Sequence, residues 1–208
     1  RELIARIKIH LRLWEYEKEL RIKNKELQEF SDLLLELNTK LEEIARKDEL
    51  MQIWNRRAFN EQIVQTHQYS VRYKRPYTLI IADLDHFKNY NDLYGHQAGD
   101  VVLQEVAAVI SKTCRITDFI ARYGGEEIVI ILPETDRGTG TFIAKRIIKA
   151  VSDLEIPHEN NADFGVVTVS AGVSTFYPDT TDNWETIIKK ADKALYRAKN
   201  SGRNKVSI

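Results

Sequence analysis

The sequence predicts an α+β domain, an antiparallel-rich sheet with flanking helices, preceded by a long N-terminal coiled-coil helix. Three observations lead there. Short β-branched runs and amphipathic stretches follow one another in the order β-α-α-β-β-α-β-α-β, an order that lays helices over a mostly antiparallel sheet. Two of the apolar runs flank Gly124-Gly125, a hairpin signal, because a tight I′ turn needs positive φ at both central residues. Leucines recur every seven positions within the first 47 residues, the mark of a coiled coil.

The elements follow in order. Leu13, Leu20, Leu27, Leu34 and Leu41 form the seam, with Glu17, Asn24, Ser31, Asn38 and Ala45 interleaved and no Pro or Gly between. Asn at the a position costs stability but favours a parallel, in-register dimer. The alternative is a single amphipathic helix lying on the domain. Residues 1–47 are thus assigned to dimerisation and signalling, and 48–208 to a separate globular domain. Asn55 to Arg72 is predicted helical, Pro76 breaks it, and Tyr77 to Ala82 is a strand. Ala98 to Cys114 is an amphipathic helix, followed by hairpin strands at Asp118–Tyr123 and Glu127–Leu132. Gly138 to Leu154 is helical, Val166 to Phe176 a strand, and Thr181 to Asn200 a last helix closed by Gly202.

Composition narrows the class without naming it. Thirty-one basic and 31 acidic residues cancel, so no net charge advertises nucleic acid or a membrane surface. The single cysteine, Cys114, excludes an internal disulfide and fits a reducing cytoplasm. No apolar run approaches the ~20 residues of a membrane span, and no signal peptide is expected. The chain opens on Arg1 rather than Met, so a fragment of a longer protein is expected. The globular part, roughly 160 residues, would bury about 70 % of its unfolded surface and supports one core.

The chemistry concentrates in two places. Glu126 and Glu127 stand at the exit of the Gly-Gly turn, where packing asks for no acids. Acids beside glycines that let a ligand approach suggest a metal-phosphate site. Some forty residues earlier, the strand at Tyr77 ends in Asp83-Leu84-Asp85, and a polar stretch from His86 to Asp100 follows. A carboxylate at a strand end can share a hard cation with one from a neighbouring hairpin. The bland reading is a solvated strand end, with Asp85 capping the next helix.

These segments together resemble the GGDEF family, the diguanylate cyclases, in its GGEEF variant. The resemblance covers nearly all of Asp48 to Ile208. It is carried by Asn55-Arg56-Arg57, Asp83-Leu84-Asp85-His86-Phe87-Lys88, Asn91-Asp92 with Gly95-His96 and Gly99-Asp100, and Arg122-Tyr123-Gly124-Gly125-Glu126-Glu127. Val167 to Val173 and Ala191 to Asn204 continue it. It implies the palm-like, ferredoxin-related core shared with nucleotide cyclases and polymerases. It also implies that two GTP are condensed into cyclic di-GMP with release of two pyrophosphates, which needs two domains face to face.

By the same resemblance, Asp83, the Leu84 carbonyl, Glu126 and Glu127 would ligate Mg²⁺ (or Mn²⁺). Glu126 would also serve as general base, with Glu127 beside it. Lys88, Lys199 and Arg203 match the phosphate-contacting positions. Asn91 and Asp100 match those that read the guanine edge, with His96 and Phe87 in the same loop. For Asn91 and Asp100 the residue-level alternative is helix capping. Arg115-Ile116-Thr117-Asp118, just before the hairpin, matches the family's product-inhibition site, with Arg146 on the following helix as its secondary position. A surface ion pair is the default explanation of such a tetrapeptide. Residues 1–13 are similar to the end of a response-regulator receiver's last helix, which implies a phosphorylatable receiver upstream.

Two departures stand out. The usual Asp-x-Leu-Thr-Gly-Leu opening reads Asp48-Glu49-Leu50-Met51-Gln52-Ile53, with Asp48 still able to pair with Arg57. Ile128 replaces the usual Phe after the acids, which keeps that strand apolar. The competing function is a degenerate domain that only binds GTP or cyclic di-GMP. Such domains lose a metal acid, and this chain keeps Asp83, Glu126 and Glu127.

Overall fold

The computed structural model describes residues 2–208, and their side chains except at 2, 4, 5, 38 and 40–45. The chain divides into two units, one ending at Ala45 and one beginning at Arg46.

The first unit lies within one continuous helix, α1, Glu2–Arg46. The seam residues Leu13, Leu20, Leu27 and Leu34 are all exposed in the single chain. Asn38, Leu41 and Ala45 of the proposed seam lie outside the described side chains. The helix also exposes Trp14, Tyr16, Ile22, Phe30, Leu33 and Leu37, so its apolar surface is broader than one heptad stripe.

The second unit is a sheet between two helical layers. Its elements are α2 (Arg56–Tyr73), β1 (Tyr77–Leu84), α3 (Phe87–Tyr94), α4 (His96–Thr113), β2 (Phe119–Gly124), β3 (Glu127–Pro133), α5 (Arg137–Ser152), β4 (Val169–Phe176), α6 (Trp184–Asn200) and β5 (Val206–Ser207). The strands lie in the order β2-β3-β1-β4-β5. Every pairing is antiparallel except that of β4 with β5.

The period-2 alternation of the central strands sorts their side chains into two cores. Ile80, Ala82, Ile128, Ile130 and Leu132 face α4 and α5, where Val102, Val106, Ile143 and Ile147 cover them. Leu79, Ile81, Val129 and Ile131 face α2 and α6, where Phe59, Ile63, Ile187 and Leu195 complete the layer. α6 lies almost on the sheet: a Cβ at Gly172 would collide with the backbone of Ala191 and Leu195. Ile128 is fully buried in the first core, so the apolar exchange at that position is absorbed by packing.

The helix caps follow the local sequence. Asn55, Asp136 and Asn183 each accept from an N–H three residues on, satisfying one of the free donors of a helix start. Gly202, at φ +107, follows the end of α6, where left-handed backbone is needed. Two local expectations are corrected. Asp85 caps no helix: α3 starts after His86, which makes no side-chain cap, and Asp85 is 2 % exposed and bonded elsewhere. The hairpin is not an I′ turn. Gly124 ends β2, paired with Glu127, and only Gly125 has positive φ, at +53. That is the pattern of a II′ turn, whose second central residue is here Glu126.

Candidate active site

β1 and β3 bring two acids face to face. Asp83 is the register partner of Glu127, and like charges directly opposed in an antiparallel pair destabilise a sheet. Both share the face of Leu79, Ile81, Val129 and Ile131, by the alternation that places those residues against α6. Asp83 is 5 % exposed. Lys199, near the end of α6, meets its Oδ1 at 2.7 Å. Burial is the main reason the Asp83 carboxyl stands above its ordinary range; Lys199 pulls it down, and Glu126 and Asp85 push it up. Glu127 is likewise raised, first by burial, then by Asp83, with Lys199 opposing and Asp192 and Glu126 adding repulsion. Asp83 and Glu127 thus both sit within electrostatic reach of Lys199.

The turn beside them is open. Gly125 is required by its φ of +53. A Cβ at Gly124 would meet nothing within 4 Å, so the chain's own packing does not ask for glycine at that position, and glycine there leaves room for the close approach of a ligand. Among the described residues, no group of three His, Cys, Asp or Glu side chains is close enough to hold a metal by itself. The donors are nonetheless all hard oxygens, with two or three acids in excess of one lysine. That set fits a hard divalent cation completed by phosphate and water oxygens, and suits a softer metal poorly.

The polar stretch after β1 folds as α3 and α4, separated only by Gly95 at φ +86. It holds the expected base-reading residues. Asn91 lies on α3, and its side-chain oxygen is buried without a hydrogen-bond partner among the described residues. A Cβ at Gly99 would collide with that oxygen, so glycine there makes room for the amide. An orphaned buried acceptor is costly, and Asn91 does not cap a helix. Asp100 is exposed within α4, and His96 is exposed as that helix's first residue. Neither caps. Lys88 is exposed on α3, whereas Phe87 is half-buried and packs on the first core. Leu84 is buried at the end of β1.

Arg203 lies in the turn after α6 and adopts φ +57, followed by Asn204 at +45. Non-glycine residues in this region cost roughly 1–2 kcal/mol each, so something must hold them. That anchor is Asp85, which accepts the Asn204 N–H at 3.1 Å. The sequence did not mark Asp85 as functional, although Thr168, just before β4, and Ser170, on it, are its buried hydroxyl partners.

Arg115, Asp118 and Arg146 come together away from this site. The Arg115 N–H donates to Asp118 at 2.7 Å, and Arg146 donates to the Thr113 carbonyl at 3.1 Å. Asp118 lies just before β2, at the opposite end of that strand from Gly124. Asp118 accepts the backbone N–H of Arg115, and among the described residues no salt bridge joins the Arg115 guanidinium to a carboxylate, although its charge acts on Asp118. Burial raises the Asp118 carboxyl, against the Arg115 N–H and charge. Burial also pushes the Cys114 thiol up to about 12.

Asp48 does not pair with Arg57, which bonds Glu61 instead. Its partner is Arg122, at 3.1 Å. Arg122 is the second functional candidate that sequence reasoning passed over.

The residues 45–205 match the family model described as "Diguanylate cyclase, GGDEF domain". Diguanylate cyclase A of Treponema denticola is 39 % identical over 150 residues, 70 % of this chain and 40 % of that protein. The chain spans less than half the length of such curated relatives. Among solved structures, the coiled coil and GGDEF domain of DgcB from Caulobacter crescentus, in complex with c-di-GMP, matches with TM-score 0.76 and 30 % identity, covering 88 % of this chain and 97 % of that one. The active GGEEF domain of a diguanylate cyclase from Vibrio cholerae matches with TM-score 0.69 and 30 % identity, over 76 % of this chain and 97 % of that one. The chain belongs to the GGDEF family, the diguanylate cyclase domain.

Proposed function

We propose that the chain is the output half of a diguanylate cyclase that condenses two GTP into cyclic di-GMP and two pyrophosphates. The observation that carries this reading is the opposition of Asp83 and Glu127 across two strand ends, beside a turn of open glycines that carries Glu126. A sheet tolerates opposed acids where a ligand's positive charge compensates them.

Asp83, the Leu84 carbonyl, Glu126 and Glu127 would hold Mg²⁺ (or Mn²⁺), which when bound neutralises phosphate charge and makes the 3′-hydroxyl easier to ionise. The chain's own residues do the rest. Glu126 takes the proton of the 3′-hydroxyl as the 3′-oxygen bonds the α-phosphorus and the bond to pyrophosphate breaks. Lys88, Lys199 and Arg203 balance the triphosphate, Arg203 by a bidentate fork. Lys199 is held ready by its bond to Asp83. Asn91 brings an unpartnered acceptor to the guanine amino edge, and Asp100 accepts from the adjacent N–H groups, which adenine does not offer. His96 and Phe87 border that pocket.

Each domain holds one GTP, so two domains must meet. α1 supplies the tether: a parallel coiled-coil homodimer makes the encounter effectively intramolecular, at about millimolar effective concentration. Arg115, Asp118 and Arg146 form a second site where cyclic di-GMP binds as inhibitor. A receiver domain upstream would gate the dimer. The setting is cytoplasmic, without nucleic-acid or membrane partners, and no described helix is long and apolar enough to cross a bilayer.

The test is incubation with GTP and Mg²⁺ and chromatography for cyclic di-GMP. Asp83→Asn and Glu126→Gln should each lower turnover more than about a hundredfold, since each removes charge worth several kcal/mol in the transition state. Their melting temperatures should stay near wild type. GTP bound by the wild type without conversion would make the domain a nucleotide-binding module instead.

A further inference from the structure

Asp85 is a buried carboxylate with no cationic partner among the described residues and three donors aimed at it. Ser170 Oγ donates to Oδ1 at 2.7 Å, Thr168 Oγ1 to Oδ2 at 2.8 Å and the Asn204 N–H to Oδ2 at 3.1 Å. The two hydroxyl residues are themselves fully buried. Asp85 also donates its own N–H to the Thr168 carbonyl at 2.9 Å. It therefore fastens the segment after β1 to the start of β4 and to the turn after α6.

That turn is unusual. Gly202, Arg203 and Asn204 have successive φ values of +107, +57 and +45, and only the first is a glycine. Arg203 donates its N–H to the Ala198 carbonyl, and the Lys205 carbonyl accepts from Ala171. Both flanks are thus pinned to α6 and β4. Between them, the bond from Asn204 to Asp85 is the one that ties the left-handed pair to the strand end carrying Asp83.

We propose that Asp85 is a positioning residue. Its buried carboxylate registers the left-handed Arg203-Asn204 turn against the end of β1, so that Arg203 is presented to the triphosphate at a fixed distance from the catalytic acids. This rests on the cyclase reading above. Asp85 touches no reacting atom; it acts through Arg203.

The discriminating pair is Asp85→Ala and Asp85→Asn. The amide keeps an oxygen for Thr168 and the Asn204 N–H and donates its NH₂ to Ser170, whose hydroxyl turns to accept. Alanine leaves all three donors without a partner. Asp85→Ala should raise KM for GTP roughly tenfold or more, the worth of one charge-assisted contact, with a much smaller change in kcat. Asp85→Asn should stay close to wild type. By calorimetry, Asp85→Ala should weaken GTP binding and leave binding of guanosine monophosphate, which lacks the outer phosphates, unchanged. Equal weakening of both nucleotides, or no change in either, overturns the proposal.

A second arm needs no chemistry. Amide hydrogen exchange of the 202–205 segment should accelerate in Asp85→Ala and not in Asp85→Asn, and unchanged exchange in Asp85→Ala also overturns the anchor. If the two variants show this exchange pattern but the wild type makes no cyclic di-GMP, the cyclase reading alone is refuted.

Discussion

Arg122 joins Asp48 to the glycine turn between β2 and β3. Its Nη1 reaches the two Asp48 carboxylate oxygens at 3.1 and 3.3 Å, and its Nε donates to the Gly125 carbonyl at 2.8 Å. Asp48, two residues past the end of α1, also accepts the N–H groups of Leu50 and Met51. The two side chains are only 22 % and 18 % exposed. The departure from the usual opening motif at residues 51 and 52 thus leaves the Asp48 anchor intact.

This fork predicts that Arg122→Lys fails to substitute. A lysine offers one compact charge and cannot span a carboxylate and a carbonyl in fixed geometry. We expect a loss of roughly 1–3 kcal/mol in urea unfolding, the cost of leaving partly buried polar groups without partners. Because the Gly125 carbonyl sits beside Glu126, kcat should fall more than KM rises. A double-mutant cycle with Asp48→Ala tests the link: strictly additive losses would mean the two residues act separately.

Acid sensitivity should trace to His158. The ring is fully buried and edge-on to Tyr90; its Nε2 meets the His86 carbonyl at 3.3 Å, and its Nδ1 is buried without a partner among the described residues. Burial holds this imidazole below its ordinary 6.5, with the His86 carbonyl opposing weakly. The unfolded chain therefore binds a proton that the folded chain refuses. Stability present above pH 6.5 is lost as pH falls toward the folded value. His67, lowered by burial as well, adds in the same direction. Raised carboxyls at Asp83, Glu127 and Asp118 act in the opposite sense, so the readout is the difference: between about pH 7.5 and about 5, wild type should lose more, or gain less, in urea midpoint than His158→Gln. Parallel curves would exclude His158 as the source.

The periodic parts of the fold were legible in the sequence. Near-continuous apolar, β-branched runs at Tyr77–Ala82 and Glu127–Leu132 located β1 and β3, because strands buried on both faces have little choice of residue. The acids were legible for the opposite reason, since nothing in packing explains them. What escaped was non-local. The expected strand from Val166 begins at Val169, because Val166 and Val167 bond Pro157 and Ile156 in a separate loop. The same loop buries His158 and Asn161, which no period announces. Asp48 found Arg122 across 74 positions rather than Arg57 nearby, and Asp85 found Asn204 across 119. Hydrogen-bond partners that far apart in sequence are set by the register of the sheet, not by local pattern.

The exposed leucines of α1 predict concentration dependence. Removing residues 1–45 should give a monomer whose activity per domain rises with protein concentration, because the encounter of two GTP-loaded domains becomes bimolecular. Sedimentation should show dimer for the whole chain and monomer for the truncated one. If the truncated domain is as active when dilute as the whole chain, tethering contributes nothing.

The last prediction concerns feedback. Arg115 and Arg146 present exposed guanidinium groups, and Ile116 between Arg115 and Asp118 is fully exposed, at 103 %. Asp118 is fixed by the Arg115 N–H. Two forks, a held carboxylate and a bare apolar side chain suit a guanine dinucleotide, since arginine stacks on and bonds guanine and phosphate while the acid accepts from guanine N–H groups. The site stands at the far end of β2 from the catalytic turn, about 20 Å of strand for the six residues of β2, too far to contact the triphosphate. Cyclic di-GMP bound here should inhibit without competing with GTP, by holding domains in an unproductive arrangement. Arg115→Ala should relieve the inhibition while initial rates stay about unchanged, as progress curves with added cyclic di-GMP and calorimetry on both variants would show. Equal inhibition of both proteins, or inhibition overcome by raising GTP, would reduce these residues to ordinary surface.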